Sequence, residues 1–336
     1  MQKHVTIKTI AAELGLSLSA VSKALNDYPD ISYETKKLIS DKALELGYTP
    51  NLFAVNLVKN TSNSLGVILR DANTVYGEMI KPLSNVARQQ KLNIILADSN
   101  RNIDEENKCL QTMVELRVKA IIIAPVNDDY KRINSIVADR VPIIFLGKAM
   151  VKSSICYVAV DSKAETLLAM RYLFDKGHRN IALIGDARQS NSTKIKVSTY
   201  MEFVESQNLQ PCIYMDTDQT HSLIDSGYFE TKKMLSEKKD ITAIFSIKDD
   251  VAVGVLKALK EEEKRVPKDI SVIGCDGSIV SGNPLIELTT VGWNTEEVSE
   301  KIISLITSQP ARFSEPYLAK PYLIERKSCG EVRKKK

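Results

Sequence analysis

The chain has 336 residues, of which 26% are charged and 43% hydrophobic, with a net charge of +4. This length exceeds one typical domain and fits a globular protein, while the lack of any apolar run of about eighteen residues argues against a transmembrane helix. No secretory signal, CxxC pair or Cys/His cluster occurs, so we expect a cytoplasmic protein with reduced thiols, no metal site and no cofactor.

The first stretch, residues 5–26, predicts two short helices joined by a tight turn. Apolar residues recur at helical spacing from Lys8 to Leu14, and Thr6 is placed to be the N-cap. Gly15 ends this helix, and Ser17 can cap a second helix that runs to about Asn26. The outward face of the second helix carries Leu18, Ser19, Ser22 and Lys23, which are two small hydroxyl residues, one apolar residue and one cation. Such a face is typical of a helix-turn-helix that reads the DNA major groove, and an ordinary helical hairpin is the alternative.

A third helix is predicted from Tyr33 to about Leu46, with Ser32 as its cap and Gly47 as its end. Its packed face is expected to hold Leu38, Ile39, Ala43 and Leu46. Residues 1–60 carry seven lysines and six acidic residues, so DNA binding by this region cannot rest on bulk charge.

From Leu65 onward, apolar strands alternate with helical stretches, which predicts parallel, doubly wound sheets. More than 250 residues follow this pattern, too many for one sheet, so two α/β lobes are expected. The predicted strands are LGVILR (65–70), LNIILAD (92–98), KAIIIAP (119–125), VPIIFLG (141–147), CYVAV (156–160), IALIG (181–185), ITAIFS (241–246) and ISVIGCD (270–276).

Three successive segments within residues 5–58 carry a family resemblance. VTIKTIAAELGLSLSAVSKALN, YPDISYETKKLI and LELGYTPNLFAVNL together resemble the N-terminus of the LacI/GalR family of bacterial transcription regulators. Downstream, VDSKAETLLAMRYLFDKGHRNIALIG, SIKDDVAVGVLKAL and VPKDISVIGCDG resemble the core of the same family, which is similar to periplasmic sugar-binding proteins.

The resemblance implies an all-α helix-turn-helix domain followed by a two-lobed α/β core in which the chain crosses between lobes three times. The implied boundaries are 1–50 for the DNA-binding domain, 51–60 for a hinge helix, 61–330 for the effector-binding and dimerisation core, and 331–336 for a basic tail. Within the core, the N-lobe is expected at about 61–161 and 293–325, and the C-lobe at about 162–290.

The resemblance places Leu18, Ser19 and Lys23 in base-contacting positions. A lysine can donate to guanine O6 or N7, a serine can bond either way, and a leucine can contact a thymine methyl group. Lys23 stands where many relatives have arginine, so the preferred operator of a relative cannot be carried over. Phosphate-positioning donors are expected at Thr6, Ser17, Ser22 and Asn26.

In the family, a leucine of each hinge helix wedges into the minor groove, and Leu57 matches that position with Ala54 beside the groove. The alternative is a linker whose Leu57 packs on the core.

Ligands of two-lobed α/β proteins bind between the lobes, at the carboxyl ends of strands. The polar residues predicted at such ends are Asp71, Asn73, Lys148, Asp161 and Asp276. By resemblance, Tyr76 is an aromatic residue that stacks on ligands, and Asp276 is the pocket aspartate.

Three positions depart from the family pattern. Lys196 replaces a pocket arginine, Lys248 replaces an asparagine, and Gly147 replaces an aspartate of some sugar binders. From Lys148, Lys196 and Lys248 we infer an anionic ligand such as a sugar phosphate or a uronate. The alternative is that one or more of these lysines pair with Asp161, Asp249 or Asp276, or point to solvent.

We therefore expect a ligand-responsive repressor of carbohydrate-related genes that binds near-palindromic operator DNA at the bacterial nucleoid as a homodimer. The tail lacks the leucine heptads of tetrameric relatives, and no membrane partner is expected. The same fold can instead sense a nucleobase, a nucleoside or a phosphoprotein, or serve as a transport-type binding protein. An enzyme is not expected, because no nucleophile motif, phosphate loop or metal-ligand cluster is present.

Overall fold

The computed structural model describes residues 5–49, 62–127, 129–147, 156–187, 191–218, 220–237, 240–308 and 316–332. The chain divides into two compact units, Met1–Thr61 and Ser62–Lys336. The predicted hinge, 51–60, lies outside the described residues. Within the described ranges, the helices are all too short or too polar to span a membrane.

In its described part, residues 5–49, the N-terminal unit has three helices whose first turns follow from local sequence. Each helix begins after a hydroxyl side chain that accepts a backbone N–H, and these N-caps are Thr6, Ser17 and Ser32 as predicted. Gly15 ends the first helix in the left-handed conformation, at a φ of 62°. The helices are α1 Ile7–Leu14, α2 Leu18–Leu25 and α3 Tyr33–Glu45.

The core of this unit is small, and each helix contributes one fully buried branched side chain, namely Ile10, Val21 and Ile39. The prediction that Leu38 joins this core is wrong, because its side chain is 54% exposed. Ile39 and Ala43 mark the side of α3 that faces the other two helices, and Leu38 lies about 100° from Ile39 around the helix axis, on the side of solvent.

Over its described residues, the second unit contains two six-stranded sheets. In chain order, the strands are β1 Ser64–Leu69, β2 Asn93–Asp98, β3 Ala120–Ala124, β4 Ile143–Leu146, β5 Tyr157–Val160, β6 Ile181–Asp186, β7 Ile213–Asp216, β8 Ala243–Ser246, β9 Ser271–Asp276, β10 Thr289–Gly292, β11 Tyr317–Ala319 and β12 Tyr322–Ile324. The helices that follow α3 are α4 Val75–Glu78, α5 Ile80–Gln89, α6 Ile103–Glu115, α7 Tyr130–Val137, α8 Ser162–Asp175, α9 Asn191–Ser206, α10 Leu223–Ser236, α11 Asp249–Glu261 and α12 Thr295–Ser308, with a 3-10 helix at Ile279–Gly282.

The first sheet has the order β11-β5-β4-β3-β1-β2 and the second has the order β12-β10-β9-β8-β6-β7. Every described pairing is parallel except that of β10 with β12. Apolar side chains pack on both faces of each sheet, which explains the nearly continuous hydrophobic strands. The predicted fold class, two doubly wound lobes with an all-α N-terminal domain, is confirmed.

We call the part built on the first sheet the N-lobe and the part built on the second sheet the C-lobe. The chain passes between them after β5, β10 and β11. The prediction that 293–325 lies wholly in the N-lobe is wrong, because β12 pairs antiparallel with β10 and so extends the second sheet. The turn between β11 and β12 is too short for the hydrophobic pattern of the sequence to indicate that the chain crosses between the lobes there.

Candidate functional site

The outward face of α2 is accessible, as its sequence predicts. Leu18 is 48% exposed, Ser19 is exposed, and the side chain of Lys23 is 43% exposed. The exposed serine and lysine can hydrogen-bond to base edges in the major groove, and the exposed leucine beside them can contact a thymine methyl group. Their base-contacting role stays a prediction.

The predicted phosphate donors differ in the hydrogen bonds that their side chains already make within the protein. Thr6 and Ser17 accept backbone N–H groups as helix caps, at 3.4 and 3.1 Å, which leaves their hydroxyl hydrogens able to donate to a phosphate. Asn26 donates its amide to the carbonyl oxygen of Ser22 at 2.8 Å. Ala54 and Leu57, the predicted minor-groove residues, lie outside the described residues.

Two acidic side chains in the loop between α2 and α3 pair with lysines of this unit. Asp30 pairs with Lys23, and Asp27 pairs with Lys36 at 2.7 Å. The hydrogen bond that Lys23 donates to the carboxylate of Asp30 raises the pKa of Lys23 and lowers the pKa of Asp30. Asp30 was not singled out from the sequence, although its position just after α2 was visible there.

In the second unit, the two lobes meet at the carboxyl ends of their strands. The carboxylate of Glu78 on α4 accepts the backbone N–H of Ile279 in the C-lobe, at 2.9 and 3.1 Å. Beside this contact lies a cavity of about 260 Å³. Its lining comes from the segments after β1, β8 and β9, and consists of Ala72, Asn73, Thr74, Val75, Glu78, Asp249, Asp250, Asp276 and Ser278.

Lys196, which lies on α9, is at the centre of a buried polar cluster in the C-lobe. Its Nζ atom lies 3.0 Å from Sγ of Cys275, 3.4 Å from a carboxylate oxygen of Glu165 and 3.6 Å from one of Asp276. It also donates to the carbonyl oxygen of Ile247 at 3.1 Å. Burial lowers the pKa of Lys196, but Cys275, Glu165 and Asp276 outweigh it, so the pKa stands well above its usual value and the ammonium stays charged.

Glu165, Cys275 and Asp276 have ligand atoms within 4.8 Å of one another, a spacing that suits a metal ion. The ammonium of Lys196, however, already contacts all three groups. A cation of the protein itself therefore occupies the position that a metal would need, and we propose no metal site at this cluster.

The expectation that three lysines converge on an anion needs correction. Lys196 is 3% exposed and surrounded by acidic groups, and Lys248 lies 3.2 Å from a carboxylate oxygen of Asp186. The alternative holds for Lys196, which lies 3.6 Å from a carboxylate oxygen of Asp276, whereas Lys248 pairs with Asp186, which was not among the predicted partners. In both cases a counter-charge is required, because a buried ammonium is strongly disfavoured without one. Lys148 lies outside the described residues.

The position of Tyr76 explains why residue 147 is a glycine, where some sugar binders of the family have an aspartate. Gly147 follows β4 with a φ of 77°, and a Cβ atom added to it would lie only 1.8 Å from the hydroxyl oxygen of Tyr76. The space that an aspartate side chain would need at this position is therefore taken by the tyrosine. Tyr76 packs against the N-lobe core, and burial raises the pKa of its phenol.

The other predicted effector residues lie at the cleft but mostly serve local structure. Asp71 makes two hydrogen bonds with Arg101, at 2.9 and 3.0 Å, and accepts the N–H of Asn73 at 2.9 Å. Asp161 is the N-cap of α8, where it accepts the N–H of Ala164 at 2.9 Å. Asp161 also lines a separate cavity of about 70 Å³ near the first lobe crossing.

Several cleft residues were missed from the sequence, namely Arg70, Glu78, Glu165, Asp186 and Asp250. Arg70 and Asp186 had a usable signal, since each stands at the carboxyl end of an apolar strand. Glu78 and Glu165 lie within helical stretches, where a single acidic residue normally indicates a solvated face.

The comparisons with known proteins cover both units of the chain. Residues 170–329 match the family model described as a periplasmic binding protein-like domain. The chain is 29% identical to the catabolite control protein A of Priestia megaterium over 308 residues, which covers 90% of this chain and 92% of that protein. It is 28% identical to the ribose operon repressor of Halalkalibacterium halodurans, with coverage of 85% and 84%.

Among solved structures, the chain is similar to the lac repressor dimer bound to operator and the anti-inducer ONPF. The TM-score is 0.87 at 23% identity, and the match covers 98% of this chain and 100% of that chain. At this identity the likeness concerns the fold, and it extends over the helix-turn-helix unit and both lobes.

Proposed function

The chain belongs to the LacI/GalR family of ligand-responsive, DNA-binding transcription regulators, and from this we propose that it represses carbohydrate-related genes. In this proposal a homodimer binds a near-palindromic operator, and a small effector between the lobes changes the affinity for DNA. The proposal rests on one observation: the same chain combines an accessible helix, α2, that can enter the major groove with a two-lobed core that contains a polar cleft.

DNA reading is assigned to the exposed face of α2. Leu18, Ser19 and Lys23 would contact base edges, and the hydroxyl groups of Thr6 and Ser17 would donate to phosphates. The N-terminal region is close to neutral, with seven lysines against six acidic residues in 1–60, so one copy would bind DNA weakly. Ser22 and Asn26 would add phosphate contacts, and the hinge residues Ala54 and Leu57 would reach the minor groove.

A homodimer supplies the second reading helix, and exposed apolar side chains support it. Leu285 is 94% exposed and Ile279 is 76% exposed in the C-lobe, and Leu96 is 47% exposed on the edge strand β2 of the N-lobe. A second subunit would cover such side chains where they belong to a contiguous apolar patch. A two-fold dimer would match a near-palindromic operator, since each half-site receives one copy of α2.

The effector is proposed to be a sugar or a sugar derivative. The ribose operon repressor is named for a carbohydrate operon, and a structurally similar regulator was solved as a CelR–cellobiose complex, at a TM-score of 0.69 and 20% identity. In this chain, the cleft cavity is lined by carboxylates, an amide and hydroxyl groups, which suit the hydroxyl groups of a sugar. Asp276, held by Lys196, is the acceptor we assign to a ligand hydroxyl.

The experiment that tests the proposed function is selection of binding sites by the full-length protein from a pool of random duplex DNA. The expected result is an enriched sequence with two inverted half-sites. Lys23→Ala is expected to lose preference for a guanine at one position of each half-site, because that side chain donates to the guanine edge. Lys81→Ala, which changes an exposed lysine of the core, is the matched control and should recover the wild-type sequence.

A pool without enrichment above non-specific binding would contradict the proposal. A nucleobase or nucleoside effector, or a phosphoprotein partner, would leave the DNA result unchanged and would appear instead in a binding screen of the core.

A further inference from the structure

The cavity between the lobes has acidic side chains on both of its walls. Glu78 reaches it from α4 of the N-lobe, and Asp249, Asp250 and Asp276 reach it from the C-lobe. No lysine, arginine or histidine is among the lining residues that the structure describes, because the others are Ala72, Asn73, Thr74, Val75 and Ser278. The charge of this cavity therefore has to be matched from elsewhere.

Two of the four carboxyl groups are already matched within the protein. Asp249 is 1% exposed and accepts hydrogen bonds from Ser278 and Thr290. Asp276 has a carboxylate oxygen 3.6 Å from the ammonium nitrogen of Lys196. These two groups need no counter-charge from a ligand.

The other two carboxylates, those of Glu78 and Asp250, face the cavity from opposite lobes and are half-buried. Glu78 accepts the backbone N–H of Ile279, and the carboxylate of Asp250 makes no hydrogen bond or ion pair with the rest of the described chain. Burial raises the pKa of both groups, and the charge of Asp276 raises it further. A ligand that fills the cavity removes water from both, and burying an unpaired charge is costly.

The cations near the cleft do not supply the missing charge. Lys248 lies close enough to lower the pKa of Asp250, but its ammonium group pairs with Asp186 at 3.2 Å. The guanidinium carbon of Arg70 lies 5.9 Å from the ring centre of Tyr76, and this residue does not line the cavity. The partner that this cavity lacks is therefore a cation.

The spacing of the carboxyl groups favours an organic cation over a bare metal ion. Among the described residues, the acidic, histidine and cysteine side chains bring three ligand atoms within 4.8 Å of one another only at Glu165, Cys275 and Asp276, where Lys196 already lies. The cavity has a volume of about 260 Å³, somewhat below the roughly 300–1,000 Å³ of pockets for drug-sized ligands. This volume suits a molecule the size of a monosaccharide.

We propose that the effector is a polyhydroxylated amine, such as an amino sugar, whose ammonium group lies between Glu78 of the N-lobe and Asp250 of the C-lobe. This inference rests on the proposed function and names the chemical class of the effector. An ammonium group has three donors, so it can bond to one carboxylate on each lobe, and hydrogen bonds between charged groups are the strong ones. The hydroxyl groups of the ligand bind the remaining polar lining, namely Asn73, Thr74 and Asp276.

Such a ligand also favours one arrangement of the lobes. Without it, Glu78 and Asp250 are like charges on facing walls, and they repel one another. An ammonium group between them replaces this repulsion by two attractions, so it binds most tightly when both walls reach it. A difference in affinity between two arrangements is what an effector needs in order to shift a conformational equilibrium.

The test is a thermal-shift and calorimetric screen of the full-length protein at neutral pH and constant ionic strength. The cationic probes are D-glucosamine, D-galactosamine and D-mannosamine, each compared with its neutral parent sugar and with its N-acetylated form, which keeps the nitrogen and removes the charge. We expect at least one amino sugar to raise Tm, with no comparable effect of its two neutral counterparts. Putrescine and calcium chloride, cations without hydroxyl groups, should bind more weakly than that amino sugar.

Variants then assign the effect to the two carboxylates. Glu78→Gln and Asp250→Asn should each weaken the best amino sugar by about 10-fold or more, the loss expected for one charged hydrogen bond. Both substitutions keep the size of the side chain, and Glu78→Gln keeps an oxygen for the N–H of Ile279. Glu115→Gln, which changes an exposed acidic residue on α6, should leave the affinity unchanged.

Any of three results would overturn the ammonium site: no amino sugar raises Tm more than its neutral counterparts, putrescine or calcium chloride binds as tightly as the best amino sugar, or either variant retains the wild-type affinity. The DNA selection is run without effector and does not involve these residues. Failure of the ammonium site therefore leaves the proposed DNA-binding regulator standing, whereas failure of the selection does not.

Discussion

Lys23 on the outward face of α2 is paired with Asp30, seven residues further along the chain. The two side chains are 43% and 52% exposed, so the pair lies in solvent where screening by water and salt makes it weak. The cation proposed to read a guanine is thus already occupied in the free protein, and a carboxylate stands beside the surface that would meet DNA.

We predict that Asp30→Asn increases affinity for the selected duplex by several-fold, because Lys23 is released and a negative charge is removed from the DNA-facing surface. The measurement is fluorescence anisotropy at several salt concentrations. Asp41→Asn, an exposed change on α3, is the control for net charge alone. Equal gains from both substitutions would show that the Lys23–Asp30 pair has no particular role.

The buried carboxyl group of Asp249 makes the free energy of unfolding of the core depend on pH. This carboxyl group is 1% exposed, and it accepts hydrogen bonds from the backbone and hydroxyl of Ser278 and from the hydroxyl of Thr290. Burial, reinforced by the charge of Asp276, raises the pKa of Asp249 to about 7. The native state therefore retains this proton over a pH range in which an unfolded aspartate, with a pKa of about 3.9, has lost it.

We therefore predict that the free energy of unfolding falls as pH rises from about 4 to about 7, with about 4 kcal/mol as the upper limit of this contribution. Urea unfolding across that range checks the slope. Asp249→Asn should reduce the slope, leaving the part due to Glu165, whose pKa is also raised to about 7 by burial, whereas Asp175→Asn, an exposed change on α8, should keep it. A wild-type slope in the Asp249→Asn variant would assign the pH dependence to other groups.

The packing of Tyr76 against Gly147 predicts a strong effect of a single methyl group. Gly147→Ala should lower the free energy of unfolding by about 1–3 kcal/mol through overcrowding, besides the strain of an alanine at a φ of 77°. Denaturant titration measures this loss. The double variant Tyr76→Ala/Gly147→Ala should recover the overcrowding part, so strictly additive losses would contradict the contact.

The proposed dimer is tested at Leu285, whose side chain is 94% exposed. We predict that Leu285→Asp weakens self-association, because it places a charge where the partner is expected to pack. Size-exclusion chromatography with light scattering over a range of concentrations measures the change. Glu263→Asp, a conservative change at an exposed site on the same lobe, is the control. A wild-type monomer, or a stable tetramer, would refute the dimer.

Local sequence signals were sufficient for most elements of the fold. Thr6, Ser17 and Ser32 are N-caps as predicted, because a cap depends on the next three residues only. Eight of the twelve strands, β1 to β6, β8 and β9, were recognised as apolar runs between helical stretches. The buried strand β10 and the edge strands β7, β11 and β12 were missed, since their three or four residues carry no long hydrophobic pattern.

The candidate site was harder to predict, because its ion pairs join residues far apart in the chain. Lys196 and Lys248 were recognised as unusual, but their partners Glu165 and Asp186 come from another helix and another sheet strand. Sequence spacing does not indicate which acidic residue reaches a given lysine. Arg70 was visible at the end of a strand, yet only the structure shows that its Nε atom lacks an acceptor.

Coupling between the cleft and the DNA-binding surface is measured by an operator titration. A labelled duplex recovered by selection is titrated with the full-length protein, with and without a compound that raises Tm. We predict that the compound changes Kd for the duplex by at least about fivefold, and that the duplex changes Kd for the compound by the same factor. The same Kd with and without a saturating compound would contradict it.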